Sequence, residues 1–582
     1  MATTNRSPQA ASASPPQDLS HHLSRTAAAR QQPAVKRFYK YFQIPGIGQL
    51  AGGLPNASLF PFDALAAHTA HATRFPAPST PTSTSTISIP KTLPLPADPL
   101  SLDLTTALQY GQATGIPVLA AWLKHLTAHL HPPPYAGGAE ILPTLGSTDG
   151  FSKIITTFAN EWNKGHDDPA ERPTLLVERW AYMTAVQTAL ARGMNVVTVN
   201  MDEHGILPTG PGSLTDVLEN WDTAQGPRPH ILYTVPTGQN PTGVLAPTWR
   251  REEVYDVCCK FDVLIAEDDP YWYLQYPSDP TPTSTSFFKS LVPSYLTLDT
   301  EGRVLRLDTF SKTAFPGARL GWITGQPALI ERLLRVTETS TTQPSGLSQA
   351  LLARLLVGPC ADHGTHVPPT PTPDPAVHYP GCPCCACFAA ALPKGTSGWG
   401  VHGFERWLSG LQSEYADRRA AIIEPILSAP AIVQAAPTAD GWTSLTSTRP
   451  LTVLPPSGGM FAWLALDMES HPLSGSFELA DLGLALWVFW THAPWRVLVA
   501  PGGMFAPDAR GREEAWGYVR VCFAALEKKV VADVAQRLVG GVTAFWEIKE
   551  KEGIDALLDE AAGANEVGLE GMEGMVSLMG FC

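Results

Sequence analysis

The stretch VLRLDTFSKTAFPGARLGWIT, residues 304 to 324, sets a lysine among residue types that bind phosphate. Its apolar start predicts a buried β-strand, and the proline-glycine pair in its middle predicts a turn before a second apolar run. Thr309, Ser311 and Lys312 follow the first run, and Arg319 opens the second. Isolated lysines are mostly solvated, so the interpretation depends on these neighbours, since hydroxyls and a bidentate guanidinium suit a phosphate group.

A phosphate beside a desolvated lysine amine indicates pyridoxal phosphate, whose aldehyde condenses with lysine. Two earlier segments end in the groups that this cofactor needs. In FDVLIAEDDPYWYL an apolar strand leads to Asp268 and Tyr271. This places a carboxylate at the carboxyl end of a strand, where α/β proteins bind ligands, and it can keep the pyridine nitrogen protonated. In ILYTVPTGQNPTG a strand runs into a turn that holds Asn240, whose amide can donate to the ring hydroxyl.

The order Asn240, Asp268, Tyr271, Lys312 and Arg319 lies within the motifs NPTG, DDPY and SK followed by six residues and Arg. Together they resemble the fold-type I pyridoxal phosphate enzymes, the class I and II aminotransferases. The segments AGGLPNASLFPF, ALQYGQATGIPVLAAWLKHL and EDDPYWYLQY resemble the kynurenine/2-aminoadipate and fungal aromatic amino acid aminotransferases. The resemblance covers residues 20 to 350 and, more loosely, 400 to 540.

This resemblance implies an α/β fold like that of aspartate aminotransferase. We expect a large domain with a mostly parallel seven-stranded sheet and a smaller α+β C-terminal domain. Alternating apolar strands and helices between residues 140 and 340 agree with it. The predicted divisions are an N-terminal arm (1–60, its start disordered), a low-complexity linker (61–100), a large cofactor-binding domain (101–345), a small domain (346–548) with a Pro/Cys-rich insertion (357–400), and a tail (549–582).

Further cofactor contacts are expected upstream. A short predicted strand ends in Gly146, Ser147 and Thr148, and a helix predicted to begin near Asp149 offers its N-terminal amides to the phosphate. The resemblance sets Tyr182 against the pyridine face, with Trp180 as the alternative at this position. It also implies a homodimer in which Tyr110 reaches the phosphate of the other subunit, whereas the simpler interpretation makes Tyr110 a core residue.

The substrate side is predicted from the C-terminal part of the chain. The run Tyr518 to Phe523 alternates so that Arg520 points away from its apolar neighbours. A guanidinium on a half-buried strand requires an anion; the resemblance makes that anion the substrate α-carboxylate, and an internal Asp or Glu is the alternative. Asn240 is expected to contribute here as well. The resemblance brings the backbone of Gly53, in a GGLP turn, near the same carboxylate, although an ordinary Gly-Pro loop explains that turn equally well.

The composition of the chain limits the classes of molecule that it is expected to bind. The chain has 582 residues, 44% apolar content and a net charge of −14. The absence of a basic stripe argues against nucleic acid or an anionic membrane, and no apolar run is long enough to span a bilayer. Cytoplasmic location is expected; the basic run 21–41 leaves a mitochondrial presequence as the alternative. The cysteine-rich sequence at 382–387 lacks spaced CxxC pairs, so we predict no metal site and interpret 357–400 as a disordered insertion.

The resemblance implies a ping-pong aminotransferase with Lys312, Asp268 and Tyr271 as catalytic residues. The amino donor would be Trp, Tyr, Phe or kynurenine, and the acceptor a 2-oxo acid such as 2-oxoglutarate or an aryl pyruvate. Three alternatives remain at this point: a 2-aminoadipate aminotransferase, another pyridoxal phosphate enzyme such as a lyase or decarboxylase, and a catalytically silent regulator or scaffold.

Overall fold

The computed structural model describes residues 14–32, 41, 44–48, 50–71, 84–93, 102–276, 286–357, 398–437 and 443–566. Within these ranges the strands are β1 Ala64–Ala70, β2 Thr84–Pro90, β3 Glu140–Thr144, β4 Thr174–Glu178, β5 Asn195–Val199, β6 Met201–Asp202, β7 Gly205–Ile206, β8 Ile231–Thr234, β9 Leu264–Asp268, β10 Val304–Thr309, β11 Gly321–Gly325, β12 Ile432–Pro437, β13 Thr443–Thr448, β14 Leu451–Val453, β15 Phe461–Leu466, β16 Ala500–Pro501 and β17 Tyr518–Cys522.

The α-helices of the same ranges are α1 Arg25–Ala29, α2 Leu104–Leu108, α3 Pro117–Leu130, α4 Ser147–Phe158, α5 Met183–Leu190, α6 Leu214–Glu219, α7 Thr248–Lys260, α8 Pro327–Glu338, α9 Gly346–Leu356, α10 Gly400–Leu427, α11 Leu479–Thr491, α12 Ala509–Ala515, α13 Lys528–Phe545 and α14 Lys551–Glu566.

A seven-stranded sheet with the order β3-β11-β10-β9-β8-β4-β5 organises the first two thirds of the chain. Six strands run in one direction, and β11 runs antiparallel to its neighbours β10 and β3. The central strands are buried along their whole length, as expected for a sheet covered on both faces. The predicted mostly parallel seven-stranded sheet is therefore confirmed.

Helices cover both faces of this sheet because each carries an apolar stripe. On one face Phe151 and Ile154 of α4 pack against Leu142 of β3 in a shared core. On the other, Val254 of α7 packs with Ile265 of β9. Each fully buried side chain of this kind stabilises the fold by about 1.5–3 kcal/mol, so the two cores hold the sheet as a rigid support for the loops at its edge.

The C-terminal part contains a second sheet with the order β14-β15-β17-β16, in which neighbouring strands are antiparallel. The long helix α10 precedes it. This helix spans Gly400–Leu427, with Pro425 inside. Proline is tolerated there because it lies in the last turn, where little helix follows the missing N–H.

Part of the predicted linker is also structured. Strands β1 and β2 pair as an antiparallel hairpin. The sequence TSTISIP of β2 alternates, so Ile87 and Ile89 share one face, and they are only 4% and 0% exposed. The Ser/Thr content suggested low complexity, but this short alternation was sufficient to form a strand. The insertion at 357–400 lies almost wholly outside the described residues, and the domain boundaries stay a prediction.

The N-terminal arm packs against its own chain. His21 and His22, in a short 3-10 helix, place their Nε2 atoms 2.6 and 3.1 Å from the two carboxylate oxygens of Asp262, just before β9. Partial burial raises the pKa of Asp262, but the two histidines outweigh this and lower it to about 2. Arg303 lies 3.5 Å from the oxygen that His22 contacts. A guanidinium already occupies this carboxylate, so the cluster is a hydrogen-bonded attachment of the arm.

The tail, which the sequence left uninterpreted, contains α14. Its residues Ile554 and Leu557 are 0% and 7% exposed and join the core formed by α11, α13 and the small sheet. Residues 551–566 are thus part of the folded C-terminal unit.

We expect Ile554→Ala to lower the free energy of unfolding by about 2–5 kcal/mol, because it leaves a cavity among packed side chains. Thermal denaturation of the purified protein measures the effect. The neighbouring Asp555 is exposed, so Asp555→Ala is the matched control and should change stability by less than about 0.5 kcal/mol. Equal melting temperatures for the two variants would contradict the assignment of α14 to the core.

Candidate active site

A cavity opens at the carboxyl edge of the large sheet, where the loops after β3, β4, β8, β9 and β10 meet. Ten of the predicted residues line it: Ser147, Thr148, Tyr182, Asn240, Asp268, Tyr271, Thr309, Ser311, Lys312 and Arg319. Because β11 runs in the opposite direction, its start lies at the same edge, and Arg319 joins residues that follow strand ends. Four residues missed by sequence reasoning complete the lining: Tyr233, Val235, Pro270 and Pro316.

One end of the cavity collects anion-binding groups. Thr309 Oγ1 donates to Ser311 Oγ at 2.9 Å and accepts from the Ser311 backbone N–H at 3.1 Å. The Arg319 Nη1 lies 3.5 Å from Ser311 Oγ, and its Nη2 donates to the Leu145 carbonyl at 2.9 Å. These bonds hold a guanidinium and two hydroxyls side by side, which is the donor set that a phosphate requires.

The N-terminus of α4 faces the same end. Gly146 precedes it with φ of 111°, and a Cβ on Gly146 would lie 2.8 Å from Arg319 Nη2. Only glycine fits this approach without displacing the arginine. The buried Ser147 Oγ has no hydrogen-bond partner in the described part of the chain. A helix N-terminus beside an unpaired hydroxyl is suited to binding an anion.

Asp268 lines the same cavity and is 6% exposed. Its Oδ2 accepts a hydrogen bond from the Tyr233 hydroxyl at 2.7 Å, whereas Oδ1 is buried without a partner among the described residues. Burial raises the pKa of this carboxyl to about 6, and the nearby acids Asp269 and Asp308 contribute to the rise. A carboxylate with one unsatisfied oxygen is suited to a cationic N–H donor.

A buried cluster of charged residues lies on β9 and β10, next to Asp268. Arg306 on β10 is fully buried; it binds both oxygens of Asp308 at 2.9 and 3.0 Å and Asp269 Oδ2 at 3.0 Å. It also lies 3.2 Å from Glu267. The cluster ties β9 to β10 just before the residues that line the cavity. Sequence reasoning missed it, although a single arginine inside an apolar strand is a signal for a buried anion.

Lys312 is half-buried, and its Nζ makes no hydrogen bond or salt bridge with the described residues. Tyr271 is 4% exposed, and burial raises the pKa of its hydroxyl, so the hydroxyl is protonated and can donate. Of the two aromatic candidates after β4, Tyr182 lines the cavity. Trp180 packs against Trp463 and Tyr518 instead.

Arg520 on β17 is 5% exposed and donates from Nη1 to Asn240 Oδ1 at 2.8 Å. Its guanidinium carbon lies 4.1 and 4.6 Å from the ring centroids of Phe461 and Phe505. No carboxylate of the described residues forms a salt bridge with it, and its Nε has no partner there. Burial lowers the pKa of this guanidinium. The internal ion pair considered as an alternative is therefore not formed, and Arg520 is a buried cation beside the cavity.

Two predicted residues do not reach the cavity of their own chain. Tyr110 is 73% exposed. Gly53 is also exposed, with no atom within 4 Å of the position of a Cβ. The resemblance had assigned Tyr110 to the other subunit, and its exposure leaves that assignment a prediction.

A mostly parallel sheet covered by helices, with a cavity at the carboxyl ends of its strands, defines a protein of the α/β class with the cavity where this class binds ligands. The chain belongs to the class I and II aminotransferase family, whose model matches residues 173–359. It is 38% identical over 353 residues to an aromatic amino acid aminotransferase of Schizosaccharomyces pombe, covering 58% of this chain and 71% of that protein. It is 32% identical over 471 residues to an L-tyrosine:2-oxoglutarate aminotransferase of Tapinella panuoides, covering 78% and 75%.

Among solved structures, aminotransferase Aro8 from Candida albicans matches with a TM-score of 0.72 and 30% identity, covering 92% of this chain and all of that one. The protein is thus an aminotransferase. None of the helices in the described ranges is long and apolar enough to cross a membrane.

The raised pKa of Asp268 predicts a pH-dependent stability of the protein stripped of bound small molecules. The folded-state pKa of about 6 exceeds the ordinary value of 3.8, so the stability contributed by the protonated form is present below the lower value and is lost as pH rises through the higher one. Asp268→Asn removes this titration and keeps an acceptor for Tyr233. We expect the melting temperature of the wild type to fall relative to that of Asp268→Asn between about pH 4 and pH 7. Parallel curves would show that Asp268 titrates normally.

Proposed function

We propose that this aminotransferase uses pyridoxal 5'-phosphate to transfer the amino group of an aromatic L-amino acid to a 2-oxo acid. The observation that carries the proposal is the combination, in and beside one cavity, of a lysine amine, a buried carboxylate oxygen and a buried arginine for which the described residues provide no hydrogen-bonding or acidic partner of the kind each requires. The two buried groups are costly in the protein alone, and each of the three matches one charged or reactive group of the cofactor or substrate.

The cavity fits this cofactor. Asp268 Oδ1 would accept from the protonated pyridine nitrogen, since that oxygen has no partner among the described residues. Asn240 and Tyr271 would bind the ring oxygen, and Tyr182 would lie against the ring face. The phosphate would occupy the part of the cavity lined by Ser147, Thr148, Thr309, Ser311 and Arg319.

When bound, pyridoxal phosphate supplies an electron-accepting ring and an aldehyde carbon that takes up and releases the amino group. The residues of the chain do the rest. Lys312 holds the cofactor until substrate arrives; its freed Nζ then removes the proton from the substrate Cα. Asp268 keeps a proton on the ring nitrogen, and a nearby cation in turn favours the charged form of this carboxyl. The same steps in reverse serve the 2-oxo acid, which gives ping-pong kinetics.

Arg520 would bind the α-carboxylate that donor and acceptor share. It has lost its hydration, has no acidic partner among the described residues and is held by Asn240 and two phenyl rings. A planar guanidinium binds a carboxylate bidentately, which fixes the Cα–H bond relative to Lys312.

The named activities of the relatives support an aromatic donor and 2-oxoglutarate as one acceptor. An assay of tryptophan, tyrosine, phenylalanine, kynurenine and 2-aminoadipate against 2-oxoglutarate and an aryl pyruvate tests this. We expect the highest kcat/KM for an aromatic donor; a clear preference for 2-aminoadipate would contradict the proposed specificity.

We further propose a homodimer in which the exposed Tyr110 completes the phosphate site of the other subunit. The compartment, cytoplasm or mitochondrion, stays open.

Lys312→Ala should reduce turnover by about a thousandfold or more, because no other group replaces its amine. The variant should keep the melting temperature of the ligand-free wild type to within a few degrees, since Lys312 makes no bond with described residues. Borohydride reduction followed by peptide mass analysis should locate the cofactor on residue 312 in the wild type. Substantial activity in Lys312→Ala, or cofactor mass on another lysine, would refute the assigned role.

Arg520→Lys should raise KM for both the amino donor and the 2-oxo acid by about thirtyfold, since one of two paired hydrogen bonds to a carboxylate is lost. Steady-state kinetics with each substrate varied in turn measures this. An increase for only one of the two substrates would show that Arg520 does not bind their shared group.

A further inference from the structure

Glu178, at the end of β4, is a buried carboxylate that the proposed chemistry does not use. It is 1% exposed, and no basic residue of the described chain compensates its charge. It accepts hydrogen bonds from Thr234 Oγ1 at 2.8 Å, from the Val235 N–H at 3.4 Å and from Gln239 Nε2 at 2.9 Å. The Val235 N–H and Gln239 Nε2 can only donate, so both need an oxygen of Glu178 as the acceptor, and burial raises the pKa of this carboxyl to about 7.

Gln239, also 1% exposed, connects Glu178 to the loop after β8. Its Nε2 makes a second bond, to the Trp180 carbonyl at 2.6 Å. Its Oε1 accepts from the backbone N–H and the hydroxyl of Thr242 at 2.9 and 2.7 Å. The side chain of Gln239 thus spans from the end of β4 to the far side of the turn, and its position is fixed at both ends.

Two paths lead from Gln239 to Arg520. The next residue in the chain is Asn240, whose Oδ1 accepts from Arg520. The second path starts at Trp180, whose carbonyl accepts a hydrogen bond from Gln239. The N–H of the next residue, Ala181, donates to the Phe505 carbonyl at 2.9 Å. The Phe505 ring in turn lies 4.6 Å from the Arg520 guanidinium. The amide of Gln239 therefore constrains one polar and one aromatic contact of the same arginine.

We propose that Glu178 and Gln239 act as a pair of positioning residues that hold Arg520 in the orientation required to bind the substrate carboxylate. Glu178 serves as the acceptor that fixes the amide of Gln239, and Gln239 transmits this constraint to Asn240 and to Phe505. The inference rests on the proposed function, since it takes Arg520 as the carboxylate anchor. It assigns a role in substrate binding to two side chains that do not line the cavity.

The test compares two ligands that differ only in the group Arg520 would bind. In 3-phenylpropionate a phenyl ring carries a carboxylate, and in 3-phenylpropanol the same skeleton ends in a hydroxyl; neither has an amine that could react. Gln239→Glu places a carboxylate against that of Glu178 and removes the donor. We expect the dissociation constant of the holoenzyme for 3-phenylpropionate, measured by calorimetry, to rise about tenfold or more, while that for 3-phenylpropanol changes less than about twofold.

The exchanged variant Glu178→Gln/Gln239→Glu restores one donor and one acceptor at the same positions. It should recover the affinity for 3-phenylpropionate to within about threefold of the wild type. Gln326→Glu is the matched control: Gln326 is 2% exposed, its Nε2 donates to the Gly302 carbonyl, and it follows β11 at the opposite edge of the sheet. This control should leave the affinity unchanged even if it lowers the melting temperature.

Unaltered binding of 3-phenylpropionate by Gln239→Glu, equal losses for both ligands, or a double variant no better than the single one would each overturn the pairing. Arg520→Lys tests the anchor separately. If Arg520→Lys weakens only the carboxylate ligand and Gln239→Glu does not, the proposed function stands and this inference alone falls. If neither variant distinguishes the two ligands, the anchor role of Arg520 falls as well.

Discussion

The structure depends on keeping the Asp268 carboxylate out of water with one oxygen unsatisfied. A parallel strand buried on both faces delivers it to the sheet edge, the Tyr233 hydroxyl satisfies only Oδ2, and Arg306 compensates the neighbouring acids rather than Asp268 itself. A group placed this way costs stability in the empty protein. Features that break local folding rules in this way are expected at ligand-binding sites, and an unpaired carboxylate oxygen suits a cationic group.

The fold and most of the site could be predicted because the residues responsible lie in continuous motifs. Lys312 and Arg319 occur within one strand-turn-strand segment, and Asn240 and Asp268 each end an apolar run. In such cases local sequence determines both the element and the position of the side chain at its end. The carboxyl ends of parallel strands lie at the same edge of the sheet, so residues from separate motifs could be placed in one cavity from the sequence.

What the sequence did not predict depends on contacts between distant segments. Glu178 and Gln239 are 61 positions apart, and neither stands in a pattern that marks it. The hairpin strand containing Ile87 and Ile89 is too short for its alternation to exceed the Ser/Thr background. Helix α14 has an apolar pattern, but its burial depends on the surface that α11 and α13 provide. Tertiary packing decides all of these cases.

The single antiparallel strand of the large sheet, β11, limits where the chain can change in length. Because β11 starts where β10 ends, the short turn between them carries both Lys312 and Arg319, and Gly321 packs against the Asp308 carbonyl and Gly146 with no room for a Cβ. Lengthening this turn would move one functional group relative to the other. The 43 positions between α9 and α10, in contrast, come after all seven strands of this sheet in the chain. A change of length there leaves the spacing between the strands unchanged, whereas a change in the joint between β10 and β11 does not.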